Sequence, residues 1–458
     1  MPPETVPVLA DRGATTGYGL RKQVLGPWET LAQSVSAIAP TASPAMTIPL
    51  VFALSGNGTW LTYLLATLAM TLVGLVIGCF ARRSASPGSL FTYTAESMPG
   101  WAACVSAWAL LLAYVATASS VAAGFFNYAN VLAQAALGRS LSPVMLLVIA
   151  VLAAGAMAYR DIKLSAEAML WMEGASVTCI VAILSLTVWK HGLHFDMAQL
   201  SLHGVKPSGI GLGIVLALFS FVGFESATTL GEEARNPLVT IPRAVLQCAV
   251  GCGVFFVLSA YAEVVGFRGV HPGLQEVAAP LHALAAMAGV NLLGVLVDIG
   301  AMVSLFACTL ACITAASRVL LLMAHRGLVP AGLGRTHARN ETPHAAVVIT
   351  AAATFIPPVL LAARGVSGGD IYGWMGALAT YGFLTAYALV CVALPLHLRR
   401  VETVSPGVLL LSLAAFLAMV LAMAGSVYPI PAAPYSWLPY IYLGYLALGL
   451  SWYGLRRT

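Results

Sequence analysis

Charge is what this 458-residue chain has least of: Asp, Glu, Lys and Arg together make up 9% of it, where a soluble domain carries roughly 25%. A globular water-soluble protein is thereby excluded, because too little charge is present to coat it. The net charge of +5 does not point to a nucleic-acid partner, since the basic residues fall between long apolar stretches rather than in one patch. The eight cysteines include no CxxC pair. Cys248/Cys252 and Cys308/Cys312 are spaced four apart, one helix face each, and read as small core thiols. The nine histidines show no ligand spacing, so no metal and no cofactor is expected. No phosphate-binding glycine loop is present, which excludes a built-in nucleotide-driven motor. Residues 1–26 are polar and lack the apolar core of a cleavable signal peptide. A channel is disfavoured because no span carries a run of polar residues along one face.

What the chain has in abundance is apolar sequence, 60% of all residues. About 20 consecutive apolar residues cross a bilayer as a helix. In lipid the backbone must satisfy its own hydrogen bonds, so the spans are expected to be helical. Twelve segments qualify, near 28–54, 59–80, 100–133, 143–159, 165–189, 209–234, 241–267, 291–323, 345–363, 372–396, 406–427 and 436–455. A short apolar stretch at 277–289 reads as an amphipathic helix outside the bilayer. With the first residues placed inside and the spans alternating, inside segments collect seventeen Lys and Arg. Outside segments collect five: Arg139, Lys190, Lys206, Arg268 and Arg364. That asymmetry follows the positive-inside rule and puts both termini in the cytoplasm.

Two spans carry signals of interruption. Span 1 contains Ala39-Pro40-Thr41-Ala42-Ser43-Pro44. Two prolines four residues apart remove two backbone donors near mid-membrane. Span 6 contains Phe219-Ser220-Phe221-Val222-Gly223-Phe224-Glu225, where an acidic residue at a helix centre costs about 2.5–3.5 kcal/mol on the insertion scale. Glycine packing beside a paired glutamate is the plainer alternative there. Interruptions in spans one and six fit two inverted five-helix repeats followed by two further helices. The organisation expected is a cytoplasmic segment 1–26, repeats at 27–190 and 208–397, and a pair of helices at 405–458. Broken helices expose free N–H groups at one end and free C=O groups at the other. These ends attract a carboxylate and an ammonium respectively, so a zwitterion fits them without a charged side chain. No Arg or Lys lies in 39–44 or 219–225.

Three segments carry a family resemblance. GFESATTLGEEARNPLVTIPRAV (223–245), AASRVLLLMAHRGLVPAGLGRTHARNETPHAA (315–346) and SPGSLFTYTAESMPGW (86–101) resemble, in order and spacing, the amino acid–polyamine–organocation permeases. The resemblance implies an all-helical LeuT-type membrane fold that works by alternating access. It implies a substrate lodged between the unwound parts of helices 1 and 6. Ala39, Pro40, Thr41, Ala42 and Ser43 would then present backbone groups to it. Phe219, Ser220, Val222 and Gly223 would supply the helix 6 side, with Phe219 in the place of an outer aromatic gate; ordinary core packing is its alternative. Helix 1 departs from the Gly-x-Gly of many members, and Ser176 occupies the place of a coupling lysine found in helix 5 of some.

Charged groups inside spans mark ion or substrate paths. Glu173 in helix 5 and Glu225 in helix 6 are candidates for proton coupling, and Asp298 in helix 8 for meeting a substrate amine; a structural hydrogen bond is the alternative for each. Tyr114, Thr380 and Tyr381 are candidate pathway residues. Glu232, Glu233 and Arg235 read as a solvated or gate-closing charge group. The expectation is therefore a membrane carrier for an amino acid or related small amine, driven by a proton or another coupling ion. Exchange, a polyamine cargo and a non-transporting nutrient receptor remain the alternatives.

Overall fold

Helices dominate, and proline and glycine decide where they begin and stop. The computed structural model describes residues 22–84, 89–160, 163–192, 194–337, 340–401 and 404–455. Of the basic residues that carry the orientation argument, Arg12, Arg21, Arg339, Arg456 and Arg457 lie outside these. The α-helices are α1 (Pro27–Ile38), α2 (Ile48–Ser55), α3 (Thr59–Ala81), α4 (Ser89–Ser97), α5 (Gly100–Leu137), α6 (Pro143–Arg160), α7 (Lys163–Lys190), α8 (Met197–Leu200), α9 (Pro207–Phe219), α10 (Pro237–Gly266), α11 (Pro280–Ala288), α12 (Asn291–His325), α13 (His344–Ala363), α14 (Gly368–Val401), α15 (Pro406–Val427) and α16 (Leu438–Leu455). Pro27, Pro207, Pro237, Pro280 and Pro406 open their helices, where the missing proline N–H has no intrahelical partner to lose.

Nine helical stretches among the described residues are long and apolar enough to cross a membrane. The first, Pro27–Ala81, runs through α1, α2 and α3. The surface agrees with that reading: Trp171, Leu152, Leu421 and Tyr440 are each at least two-thirds exposed, an apolar exterior that water would penalise and lipid accepts. The apolar stretch at 277–289 contains the short helix α11.

The core is built around α5, which packs most extensively on α14 and α12, while α3 runs along α10. In the most apolar windows of α5 and α14, 78% of residues are buried, against 22% in α15; α5 and α14 are the scaffold and α15 a peripheral helix. Close approach depends on small residues, as expected where lipid tails supply no drive for helices to associate. A side chain at Gly382 of α14 would strike the Ala109 carbonyl of α5, and one at Gly124 of α5 would strike Leu305 of α12.

Both expected interruptions appear. α1 ends at Ile38, and Ala39 takes left-handed angles (φ 51°, ψ 68°), which L-residues other than glycine rarely adopt. Pro40 contributes by keeping the residue before it out of the right-handed helical region. The chain recovers through a π-helical turn, Ser43–Thr47, into α2. α9 ends at Phe219, and Gly223 has φ 90°. Here the sequence expectation needs correction in one respect. The second half of span 6, expected to run as membrane helix to residue 234, returns only as turns and a 3₁₀ helix, Ser226–Leu230. The Thr229 hydroxyl bonds the Ser226 carbonyl at 2.6 Å, the local side-chain competition that weakens α-helix formation by Ser and Thr.

Candidate functional site

The two interruptions meet. A Cβ built on Gly223 would lie 2.8 Å from the Ala37 Cβ and 3.2 Å from its carbonyl oxygen, so only glycine lets the strands touch. Two further bonds join them. Ser226 donates its hydroxyl to the Gln33 carbonyl at 3.1 Å, and the Ala227 amide donates to the Ser34 hydroxyl at 3.1 Å. The Gln33 side-chain amide in turn reaches the Ala311 carbonyl of α12 at 3.4 Å. Cys308, also on α12, donates its thiol to the Ala37 carbonyl at 2.9 Å. That carbonyl belongs to the last turn of α1, where acceptors lose their helical partners.

Residues 39–43 are all buried. Thr41 donates its hydroxyl to a Glu173 oxygen at 3.0 Å, bringing the expected coupling carboxyl of α7 directly onto the helix 1 break. The other Glu173 oxygen has no hydrogen-bond partner, and Ser304 of α12 lies beside the carboxyl without a bond of good geometry. Ser176, one turn along α7, gives its hydroxyl to the Met172 carbonyl at 2.9 Å and packs so tightly on Gly300 that no side chain fits there.

Glu225 is held by two phenols. Tyr114 of α5 donates to one carboxyl oxygen at 2.7 Å and Tyr387 of α14 to the other at 2.6 Å. The sequence reading named Tyr114 and missed Tyr387. Its signal was a tyrosine two turns beyond Thr380 inside an apolar span, where a hydroxyl needs a partner. Thr380 gives its hydroxyl to Gly376 within its own helix, and Tyr381 stacks on Tyr442 of α16. Val222 is buried beside the break.

Phe219 closes one side. Its ring meets Tyr372 edge-on at 5.5 Å between centroids and lies against Gly376, where any side chain would collide with it. Tyr372 shares a 2.8 Å hydrogen bond with Thr47 beyond the helix 1 break. Ser220 bonds Tyr63 of α3 at 3.0 Å, and Tyr128 of α5 donates to the Ala45 carbonyl at 3.0 Å. Asp298 does not join this group: one of its oxygens takes a 2.6 Å bond from His282 of α11.

The other side is closed by charge. Glu233 forms a two-pronged ion pair with Arg318 of α12, at 2.6 and 2.8 Å, and the guanidinium is 1% exposed. Residues 23–25 pair alongside 232–235 through backbone bonds of 2.7–3.0 Å, and Arg235 reaches the Gln23 carbonyl at 3.2 Å. Glu233 is thus buried and ion-paired rather than solvated. The apolar cavity of about 750 Å³ between α6 and α13 includes none of these residues in its lining. Among the described residues no group of three or more His, Cys, Asp or Glu converges as metal ligands.

The family model for amino acid permeases matches residues 31–453. The chain belongs to the amino acid permease family. The permease is 24% identical over 363 residues to the branched-chain amino acid permease BcaP of Bacillus subtilis, covering 73% of this chain and 74% of that one. It is 23% identical to the methylthioribose transporter of the same organism, over 74% of this chain and 73% of the relative. Its identity to the gamma-aminobutyric acid permease of Escherichia coli is 23%, over 67% of this chain and 66% of the relative. The family together with the apolar helices makes the permease a multi-pass membrane transporter rather than an enzyme.

Proposed function

We propose that the permease is a secondary active carrier that moves an amino acid or closely related small amine into the cell by alternating access, coupled to protons. The observation that carries this reading is the meeting of the two helix breaks, with Gly223 against Ala37. A broken helix presents partly charged peptide ends in a dry interior, where they bind an ammonium and a carboxylate far more strongly than in water. The relatives named for branched-chain amino acids and gamma-aminobutyric acid support that cargo class.

The twelve-crossing, five-plus-five-plus-two organisation belongs to this proposal. Pro27–Ala81 then makes two crossings, α9 with Ser226–Leu230 makes the broken sixth, and α16 the last. Both termini lie inside. Phe219 with Tyr372 forms the outer gate, and Glu233 with Arg318 the inner one. Transport requires the two to open in turn, with α1, α2, α3, α9 and α10 moving against α5, α6, α12 and α13. Glu173 and Glu225 touch the breaks directly, so protonation of either changes the site between the gates.

A thermal-shift screen of the purified permease against amino acids, polyamines and small amines identifies the cargo, and counterflow in proteoliposomes tests movement. We expect stabilisation by a neutral amino acid, and counterflow that Gly223→Leu abolishes. Binding without counterflow would make the protein a receptor. Full counterflow in Gly223→Leu would remove the site.

A further inference from the structure

One buried carboxyl in the molecule has no part in the arrangement described so far. Glu263 lies near the C-terminal end of α10 and is 0% exposed. Neither of its oxygens has a hydrogen-bond partner, and the hydroxyl of Ser259, one turn earlier on the same helix, has none either. Glu173, Glu225, Asp298 and Glu233 each hold at least one partner on another helix. Glu263 is set apart by having none.

Its position is not peripheral. Phe256, two turns earlier on the same face of α10, packs on Tyr63 at 6.0 Å and on Phe221 of the helix 6 break at 5.3 Å. Glu263 lies within electrostatic reach of the Tyr63 and Tyr128 hydroxyls. Those hydroxyls bond Ser220, next to Phe219, and the Ala45 carbonyl in the turn that follows the helix 1 break. Glu263 is therefore linked to both breaks through the aromatic residues around them.

The titratable groups around it supply no counter-charge. α3 and α5 present the phenols Tyr63 and Tyr128. α12 carries Asp298, which reaches the same Tyr128 hydroxyl. The basic groups on packed elements are engaged elsewhere: His282 of α11 bonds Asp298 at 2.6 Å, and Lys190 of α7 donates to the Met287 carbonyl at 3.5 Å. An isolated ionised carboxylate in such surroundings is heavily penalised, and a proton is the smallest species that neutralises it without needing a cavity.

We propose that Glu263 is a proton-binding residue of the transport cycle, taking a proton from the outside solution as the Phe219 side closes and returning it there when that side reopens. The inference rests on the reading of the chain as a proton-coupled carrier, to which it adds a third proton site not in contact with the substrate segments. In the closed arrangement the carboxyl holds a proton taken from the outside solution. Opening of the Phe219 side admits water to Glu263 and lets the proton return to the outside solution. The gate and the proton are thereby linked: a charged Glu263 opposes closure, and a neutral one permits it.

The test compares the unaltered full-length protein with Glu263→Gln and Glu263→Asp, by infrared difference spectroscopy at neutral pH and by uptake into proteoliposomes. The spectrum of the unaltered protein minus that of Glu263→Gln is expected to show the carbonyl stretch of a protonated carboxylic acid. Glu263→Asp is expected to shift that band rather than remove it. In proteoliposomes, Glu263→Gln should flatten the dependence of uptake on the pH outside the vesicle. A difference spectrum that carries carboxylate bands instead, or an unchanged dependence on outside pH in Glu263→Gln, would overturn the proposal. If the unaltered protein moves no amino acid or amine, the transport reading fails by itself, and the infrared comparison still decides whether Glu263 holds a proton.

Discussion

At the residue scale, the polar chemistry of the permease is carried by a few pairs whose members lie far apart in sequence. Glu225 and Tyr387 are 162 positions apart, Thr41 and Glu173 132, and Glu233 and Arg318 85. Each acid was visible as a costly group in or beside an apolar span. Thr41 was visible as part of the helix 1 break, but none of the pairings was, because a pairing depends on which helices become neighbours. Removing one side of these pairs has a calculable sign. Arg318→Met leaves Glu233 as a buried unpaired charge and is expected to cost about 3–5 kcal/mol, with Glu233→Met/Arg318→Met recovering most of it. Thermal unfolding of the three proteins checks this, and equal loss in the single and double variants would show the pair to be no buried charge partnership. Tyr387→Phe removes one charge-assisted bond to Glu225 and should cost about 1.5–3 kcal/mol, read from denaturant unfolding. An unchanged midpoint would mean that Glu225 is held by Tyr114 alone.

One residue-scale prediction concerns pH. Asp196, in the loop before α9, pairs with Arg268 and accepts a further bond from Gln199 at 3.1 Å. Partial burial pushes its carboxyl up, but the hydrogen bonds from Arg268 and Gln199 and the guanidinium charge outweigh this and hold it below the ordinary range. A group lowered on folding stabilises the fold above its unfolded value, and that contribution disappears as pH falls through its folded value. The unaltered protein and Asp196→Asn should therefore differ in melting temperature at neutral pH and converge in acid. A difference that grows on acidification would contradict the sign.

At the element scale, the breaks were the most legible feature of the sequence, since their causes are local. Pro40 keeps Ala39 out of the right-handed helical region whatever surrounds it, and Gly223 is the one residue in 219–225 able to take φ 90° without strain. The course of span 6 after the break was not legible. Apolar length suggested a returning helix, whereas Ser226, Thr228 and Thr229 lie in a 3₁₀ segment tied by Ser226 to the first part of span 1. The break itself is open to test. Gly223→Ala puts a methyl group against Ala37 and a non-glycine residue at positive φ, a strain of about 1–3 kcal/mol. It should lower the melting temperature and weaken binding of whichever compound the screen identifies. Wild-type stability in this variant would mean that the contact between spans 1 and 6 is looser than described.

At the scale of the whole molecule, composition alone settled the class. With 9% charged residues, no arrangement of the chain gives a water-facing surface, and the exposed leucines and aromatics of α6, α7, α15 and α16 follow from that. Which helices stand at the centre was not readable. α6 and α14 have the same mean hydropathy, 1.9, yet 33% of the one window is buried and 78% of the other. The difference lies in small residues that permit close crossings, such as Gly124 and Gly382, and their partners are defined only by the assembled fold. The same holds for the seal over the breaks. Phe219 was legible as an aromatic at the edge of the break, but Tyr372 and Gly376, which receive it, were not.

The central claim is that cargo is held by the peptide groups of the two facing breaks. A density map of the permease with the stabilising amino acid or amine bound tests it most directly. The account predicts solute density between residues 39–43 and 219–223, with both segments uncoiled around it. Density for the solute elsewhere, with spans 1 and 6 continuous through those residues, would contradict it.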